Sequence, residues 1–208
     1  MLKSESITFS YDNSCHFSFP NIHLYEGENL LILGDSGIGK TTLIQILAGL
    51  LRPSSGIVEL NGTNFEDLSS KELDQFRGSN IGMIFQRPYF VRNLNILDNL
   101  LFSLYLSKKK QDKNIAVELL EKIGLVDKLN KKPDQLSQGE QQRAAMALAV
   151  IKNPNLILAD EPTSSLDDSN CQKIVTLMKE QAAETNAKLI IITHDYRLKS
   201  QFKKSILL

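Results

Sequence analysis

Gly34-Asp35-Ser36-Gly37-Ile38-Gly39-Lys40-Thr41 decides the reading of this 208-residue chain. The octapeptide matches G-x-x-x-x-G-K-[ST] at every fixed position. Residues 29–33 read as a strand that runs directly into it. Residues 41–51 are apolar at helical spacing until Pro53 stops them. Strand, glycine loop and helix form the context a phosphate-binding loop requires. The glycines let the backbone wrap tightly, so successive N–H groups converge on phosphate oxygens. The helix points its positive dipole end at the same place. Lys40 adds a point charge for the β- and γ-phosphates, and Thr41 offers a hydroxyl to Mg²⁺. The candidate phosphate contacts are therefore Gly34, Asp35, Ser36, Gly37, Ile38, Gly39, Lys40, Thr41 and Thr42.

Two further segments follow in order. Residues 156–159 are a short, fully apolar run that ends in Asp160-Glu161, with Pro162 fixing the exit. A lone Asp-Glu pair is ordinarily a solvated loop, but four apolar residues precede this one. Asp160, at the strand end, suits a ligand of Mg²⁺ or a place just behind one. Glu161, one residue on, could hold an attacking water, since phosphoryl transfer asks mostly for positioning and charge stabilisation. Before this run comes Leu136-Ser137-Gln138-Gly139-Glu140. Ser137 with Glu140 three residues on is a capping box. A serine-capped helix start is an anion site, and Gly139 permits close backbone approach to a phosphate. Taken alone, the segment is simply a well-capped helix.

The rest of the chain supports one α/β unit. Residues 6–10, 22–25, 57–60 and 80–85 read as strands, the last ending at Gln86. Residues 189–193 form another buried run, with a helix over 172–184 before it. Strand signals vanish over 95–129, where Lys108-Lys109-Lys110 breaks two helices. Charge is balanced at 24 against 24, so no basic field points to nucleic acid. Cys15 and Cys171 show no metal spacing and read as reduced, semi-buried thiols. The N-terminus lacks the apolar run of a signal peptide. The longest fully apolar run, 144–151, is far short of the roughly 18 residues of a membrane span and reads as a buried helix. If the protein moves something across a membrane, another chain supplies the pore.

Together the glycine loop, the 136–140 segment followed by Gln141-Gln142-Arg143, and the acidic strand end resemble the ATP-binding cassette (ABC) ATPase family over nearly the whole chain. The resemblance implies an α/β, P-loop NTPase core with a mostly parallel sheet flanked by helices and an N-terminal antiparallel β part. Residues 1–208 would form a single nucleotide-binding domain, with about 95–150 an inserted helical subdomain that includes the helix opened by Ser137. It implies binding and hydrolysis of ATP with Mg²⁺. Position by position, Tyr11 resembles the aromatic that stacks on adenine; the plainer alternative is a strand aromatic in the core. Gln86 resembles the glutamine joining the metal site to a membrane partner. Ser165-Leu166-Asp167 resembles the loop that crosses to another subunit, and His194 the switch histidine near the γ-phosphate.

In this family Ser137, Gln138 and Gly139 face a nucleotide held by the other subunit. The chain would thus need a second copy of itself or a paired cassette, and an integral membrane transporter subunit, at the cytoplasmic face of the membrane. Ala159-Asp160-Glu161-Pro162-Thr163 and Ile81-Gly82-Met83-Ile84-Phe85-Gln86 look similar to the lipoprotein-release, macrolide-export and cell-division ATPases. Departures are Gln138 where glycine is commoner, Leu148 where arginine is common, and an end at residues 205–208 that suggests a frayed last strand and no C-terminal regulatory domain. A soluble ABC ATPase acting on ribosomes or DNA, or the ATPase of an importer, are the alternatives; a non-hydrolysing regulator is opposed by Glu161. Tyr89 and Phe90, after Pro88, are placed to line a groove for a helix of the membrane partner, whereas Phe102 is expected in the core of the inserted helices.

Overall fold

The computed structural model describes residues 1–11, 16–164 and 168–208. Its centre is a five-stranded sheet in the order β10 (Lys204–Leu207), β4 (Asn29–Leu33), β9 (Lys188–Thr193), β8 (Leu156–Asp160), β7 (Ile81–Ile84), with every pairing parallel. The apolar runs of β4, β8 and β9 are continuous because both faces of this sheet are covered. Leu31, Leu33, Ile157, Ala159, Leu189 and Ile191 point into one cluster. Their neighbours Leu30, Ile32, Leu156, Leu158, Ile190 and Ile192 point into the other. That period of two is the strand pleat read directly as burial. Each such Leu or Ile contributes about 1.5–3 kcal/mol over an exposed position.

One face carries α1 (Lys40–Leu47) and a second, antiparallel sheet. That sheet holds β1 (Leu2–Ser10), β2 (His16–Ser18), β3 (Ile22–Leu24), β5 (Ser55–Leu60) and β6 (Thr63–Asn64). The opposite face carries α3 (Ile96–Leu106), α4 (Lys113–Lys122), α5 (Gln138–Val150) and α6 (Asp168–Glu184). Helix α5 lies directly on β7. A Cβ on Gly82 would stand 2.4 Å from the carbonyl oxygen of Ala149, so only glycine admits this packing. No helix among the described residues is long and apolar enough to cross a membrane.

Several expectations are corrected. The helix after the loop stops at Leu47, where Gly49 at φ +66° turns the chain. Helix α2 (Ser70–Asn80) was not expected, and it absorbs Asn80 from the anticipated strand. Its capping box, Ser69 with Glu72, repeats the Ser-x-x-Glu pattern of the later helix. The last strand is not frayed: β10 pairs with Leu30–Leu33 throughout, and the Leu208 N–H donates to the Leu33 carbonyl at 2.8 Å. Phe102 is not core; it is exposed and stacks on Tyr105 at 6.2 Å. Cys171 is fully rather than partly buried, and Cys15 lies outside the described residues.

Candidate functional site

The parallel sheet ends in a cavity of about 370 Å³ lined by Ser36, Gly37, Gly39, Lys40, Thr41, Thr42, Gln86, Glu161 and His194, with Phe17. Strand β4 delivers the loop, and Gly39 caps α1 in the left-handed region at φ +97°. There is no side-chain cap on this helix, so its first N–H groups face the cavity. A Cβ on Gly39 would also strike Phe17 at 2.6 Å, which fixes glycine twice over. Gly34, Asp35 and Ile38 complete the loop's backbone.

Lys40 is buried, and its ammonium donates to the carbonyls of Gly34 and Asp35, both at 2.7 Å. The same ammonium lies 3.6 Å from Glu161 Oε1. Thr41 Oγ1 donates to Asp160 Oδ2 at 3.2 Å. Asp160 Oδ1 is buried without a hydrogen-bond partner among the described residues. Burial, reinforced by the Glu161 charge and opposed by the Thr41 contact and Lys40, pushes the Asp160 carboxyl up. A buried carboxylate oxygen with nothing to bind, beside a threonine hydroxyl, suits a hard cation. Among the described residues no group of three or more His, Cys, Asp or Glu could hold a metal, so such an ion would depend on phosphate oxygens and water for its other ligands.

Glu161 is a non-glycine residue at φ +48°, a conformation worth about 1–3 kcal/mol of strain. Its carboxylate is held there. Thr193 Oγ1 donates to Oε2 at 2.8 Å, the His194 N–H donates to Oε1 at 3.1 Å, and His194 Nδ1 lies 2.9 Å from Oε1. Gln86 Nε2 donates to Ser164 Oγ at 3.3 Å. Such a constellation can orient a water and stabilise charge on phosphoryl oxygens.

Tyr11 is 60% exposed at the rim, its hydroxyl 3.1 Å from Thr42 Oγ1 and its ring edge-on to Phe9 and Phe17. Phe17 lines the cavity itself, and sequence reading missed it because β2 is three residues long and carries no periodic signal. Thr193 and Ser164 were missed as well; a threonine closing an apolar run is the one available clue to the first. Asp167 lies outside the described residues.

The 137–139 segment is not brought to this cavity. Ser137 caps α5, with Glu140 Oε2 accepting from the Ser137 N–H at 2.7 Å. Gln138 instead lines a separate hollow of about 720 Å³ with Gln86, Arg87, Tyr89, Phe90 and Arg92. A Cβ on Gly139 would find only Arg143 at 4.0 Å, so its backbone is open to outside approach. Within the chain, Gln142 Nε2 donates to the Pro162 carbonyl at 3.0 Å, tying α5 to the residue after Glu161.

The chain is similar to several known proteins. A family model described as ABC transporter matches residues 18–164. The lipoprotein-releasing system ATP-binding protein LolD of Buchnera aphidicola subsp. Acyrthosiphon pisum (strain APS) is 41% identical over 189 residues, covering 90% of this chain and 82% of that protein. LolD of Wigglesworthia glossinidia brevipalpis is 32% identical, covering 99% and 93%. The dimeric post-hydrolysis structure of the ATP-binding cassette MJ0796 bound to ADP and Pi superposes with a TM-score of 0.89 at 32% identity, covering 100% of this chain and 94% of that one.

Proposed function

Because this chain belongs to the ABC transporter family and is an ATP hydrolase, we propose that it powers a separate membrane subunit in lipoprotein release, at the cytoplasmic face of the membrane. Residues 1–208 act as one nucleotide-binding domain, with 95–150 as its helical arm. Gly34 to Thr42 cradle the phosphates, and Lys40 exchanges its two carbonyl contacts for phosphate oxygens. Thr41, Asp160 and Gln86 would hold Mg²⁺, which would supply charge neutralisation at the phosphates. Glu161 orients the attacking water, His194 and Thr193 set its carboxylate, and Tyr11 with Phe17 meets the adenine. Ser137, Gln138 and Gly139 serve the nucleotide of a second cassette, with Asp167 crossing between the two. That Ser137, Gln138 and Gly139 do not line the chain's own cavity supports a head-to-tail dimer.

One observation supports coupling above the others: Gln86 stands on the wall of both the phosphate cavity and the hollow edged by Tyr89 and Phe90. A change at the nucleotide is therefore one side chain away from a surface fit for a partner helix. Glu161→Gln tests the reading. It keeps shape but removes the charge that polarises water, so turnover should fall by about two to four decades. ATP binding should survive, and gel filtration with ATP and Mg²⁺ should show an accumulating dimer. A monomeric variant with full turnover would remove Glu161 from the reaction and the dimer from the cycle.

A further inference from the structure

Tyr89 and Phe90 form a ridge between two depressions. One contains Gln86. The other, about 460 Å³, lies where the ends of α2, α3 and α5 meet. Its walls are Phe90, Val91, Phe102, Leu106 and Leu148. Val91, Phe102 and Leu106 are all exposed. Side-chain-to-backbone bonds tie the converging helices together: Ser103 Oγ donates to the Leu148 carbonyl at 3.3 Å, and Ser79 Oγ to the Ser107 carbonyl at 3.2 Å. A depression between bonded helix ends, with exposed aromatic and aliphatic walls, has the form of a receptor for an amphipathic segment.

Lys152 is the one charged residue of this lining among the described residues. It follows α5, one helical turn beyond Leu148, and is half-buried in the groove wall. Its ammonium has no carboxylate and no hydrogen-bond acceptor among the described residues. The charged groups near it are both cations. Lys109 donates its ammonium to the Lys152 carbonyl, and Arg77 donates to the Gly49 carbonyl and to Asp74. Burial, followed by repulsion from Lys109 and Arg77, pulls the Lys152 ammonium down to about 8. An occupant that filled the groove with apolar side chains alone would bury this cation completely and unpaired, which opposes binding.

We propose that the occupant of this groove is a short amphipathic helix of the membrane subunit that carries a Glu or Asp beside its apolar stripe, and that this carboxylate pairs with Lys152. The proposal rests on the reading above, that a membrane subunit docks beside Tyr89 and Phe90. Charge complementarity then selects the partner, since a helix of equal hydrophobicity without the acid meets an uncompensated charge.

The test selects binders from a displayed library of random amphipathic helical peptides against the full-length chain, with Lys152→Met and Lys152→Glu in parallel. Phe102→Ala is the groove control, and nucleotide-dependent melting checks that every variant folds. Groove binders, defined by loss on Phe102→Ala, should carry Glu or Asp at one fixed position. Replacing that acid by Gln should weaken binding to the wild type by about tenfold, the size of a charge-assisted contact. Lys152→Met should erase the difference, and Lys152→Glu should select Lys or Arg at the same position. Groove binders with no acidic preference would overturn the pairing and leave docking intact. Binders that all ignore Phe102→Ala would overturn docking at this groove and the pairing with it. Sedimentation showing self-association that Phe102→Ala abolishes would assign the groove to a second copy instead.

Discussion

The phosphate cavity and the groove beside Tyr89 are built by opposite means. The cavity is built around one continuous stretch, 29–47, whose strand, glycines and helix are consecutive in sequence, with Asp160, Glu161 and His194 brought to it by neighbouring parallel strands, Gln86 by the end of β7 and Phe17 by β2. Its binding groups are largely backbone N–H, and its shape follows from glycine conformation. The groove is assembled from the Gly78 backbone in α2 and from single side chains of the 89–91 loop, α3, α5 and Lys152 beyond it. It has no motif, and its chemistry is the sum of positions set by packing. A local site tolerates change elsewhere in the chain and fails at its own residues. An assembled one can be retuned one residue at a time.

Lys40→Ala should break the cavity alone. Loss of a charge-assisted phosphate contact costs roughly 1.5–3 kcal/mol, or about one to two decades in ATP affinity. Calorimetric titration with ATP checks it, and unchanged affinity would dismiss the glycine-loop assignment. Asp160→Asn sharpens the contrast between function and stability. A neutral amide is cheaper to bury than a carboxylate with an orphaned oxygen, so melting without nucleotide should rise, by about 1 kcal/mol of stability. Any gain in melting temperature from adding Mg²⁺ with ATP should shrink. The pH sign follows from the raised Asp160 pKa: the fold binds its proton more tightly than the unfolded chain does. Wild-type stability should therefore decline as pH rises from the unfolded carboxyl value through the folded one, and Asp160→Asn should flatten that limb.

Tyr11→Ala should cost about 0.5–1.5 kcal/mol of nucleotide affinity, similarly for ATP and GTP, since purine faces differ little. Its 60% exposure leaves little core to lose, so a large drop in stability with normal affinity would return Tyr11 to a packing role. Smallest of all should be Tyr89→Ala in the isolated chain. At 72% exposure its effect on stability should stay within about 0.5 kcal/mol, with basal ATPase nearly intact. Co-purification with a membrane subunit is where the loss should appear. Phe90 packs partly against the core, so Phe90→Ala should lower stability as well and makes the less clean probe.

What could be read from sequence divides along the same line. The β4–α1 unit, the apolar runs of β8 and β9, and the Ser137–Glu140 cap were legible because local physics dictates them. Residues Ser70–Asn80 were not read as a helix despite the Ser69–Glu72 box, because α2 buries only Leu73 and shows no apolar stripe. Phe102 reads as a core residue because hydrophobicity says nothing about which side of a helix is left uncovered. Gly82 reads as a neutral strand residue until α5 is laid across it. Glu161's partners, Thr193 and His194, sit on the adjacent strand and the turn beyond it, so their hydrogen bonds exist only once β8 and β9 pair.

Strand β4, which feeds the phosphate loop, is flanked by β9 and β10 and by nothing nearer in sequence. During synthesis it must wait for partners that begin at Lys188, 155 residues after Leu33. At ribosomal rates of roughly 5–20 residues per second, that is a delay of about 8–30 s. Through that interval the chain holds an unpaired and very apolar strand, and the loop it carries has no fixed base. Nucleotide capture is thus a late event in the life of each molecule, and the nascent chain is exposed to aggregation and to chaperones for most of its birth.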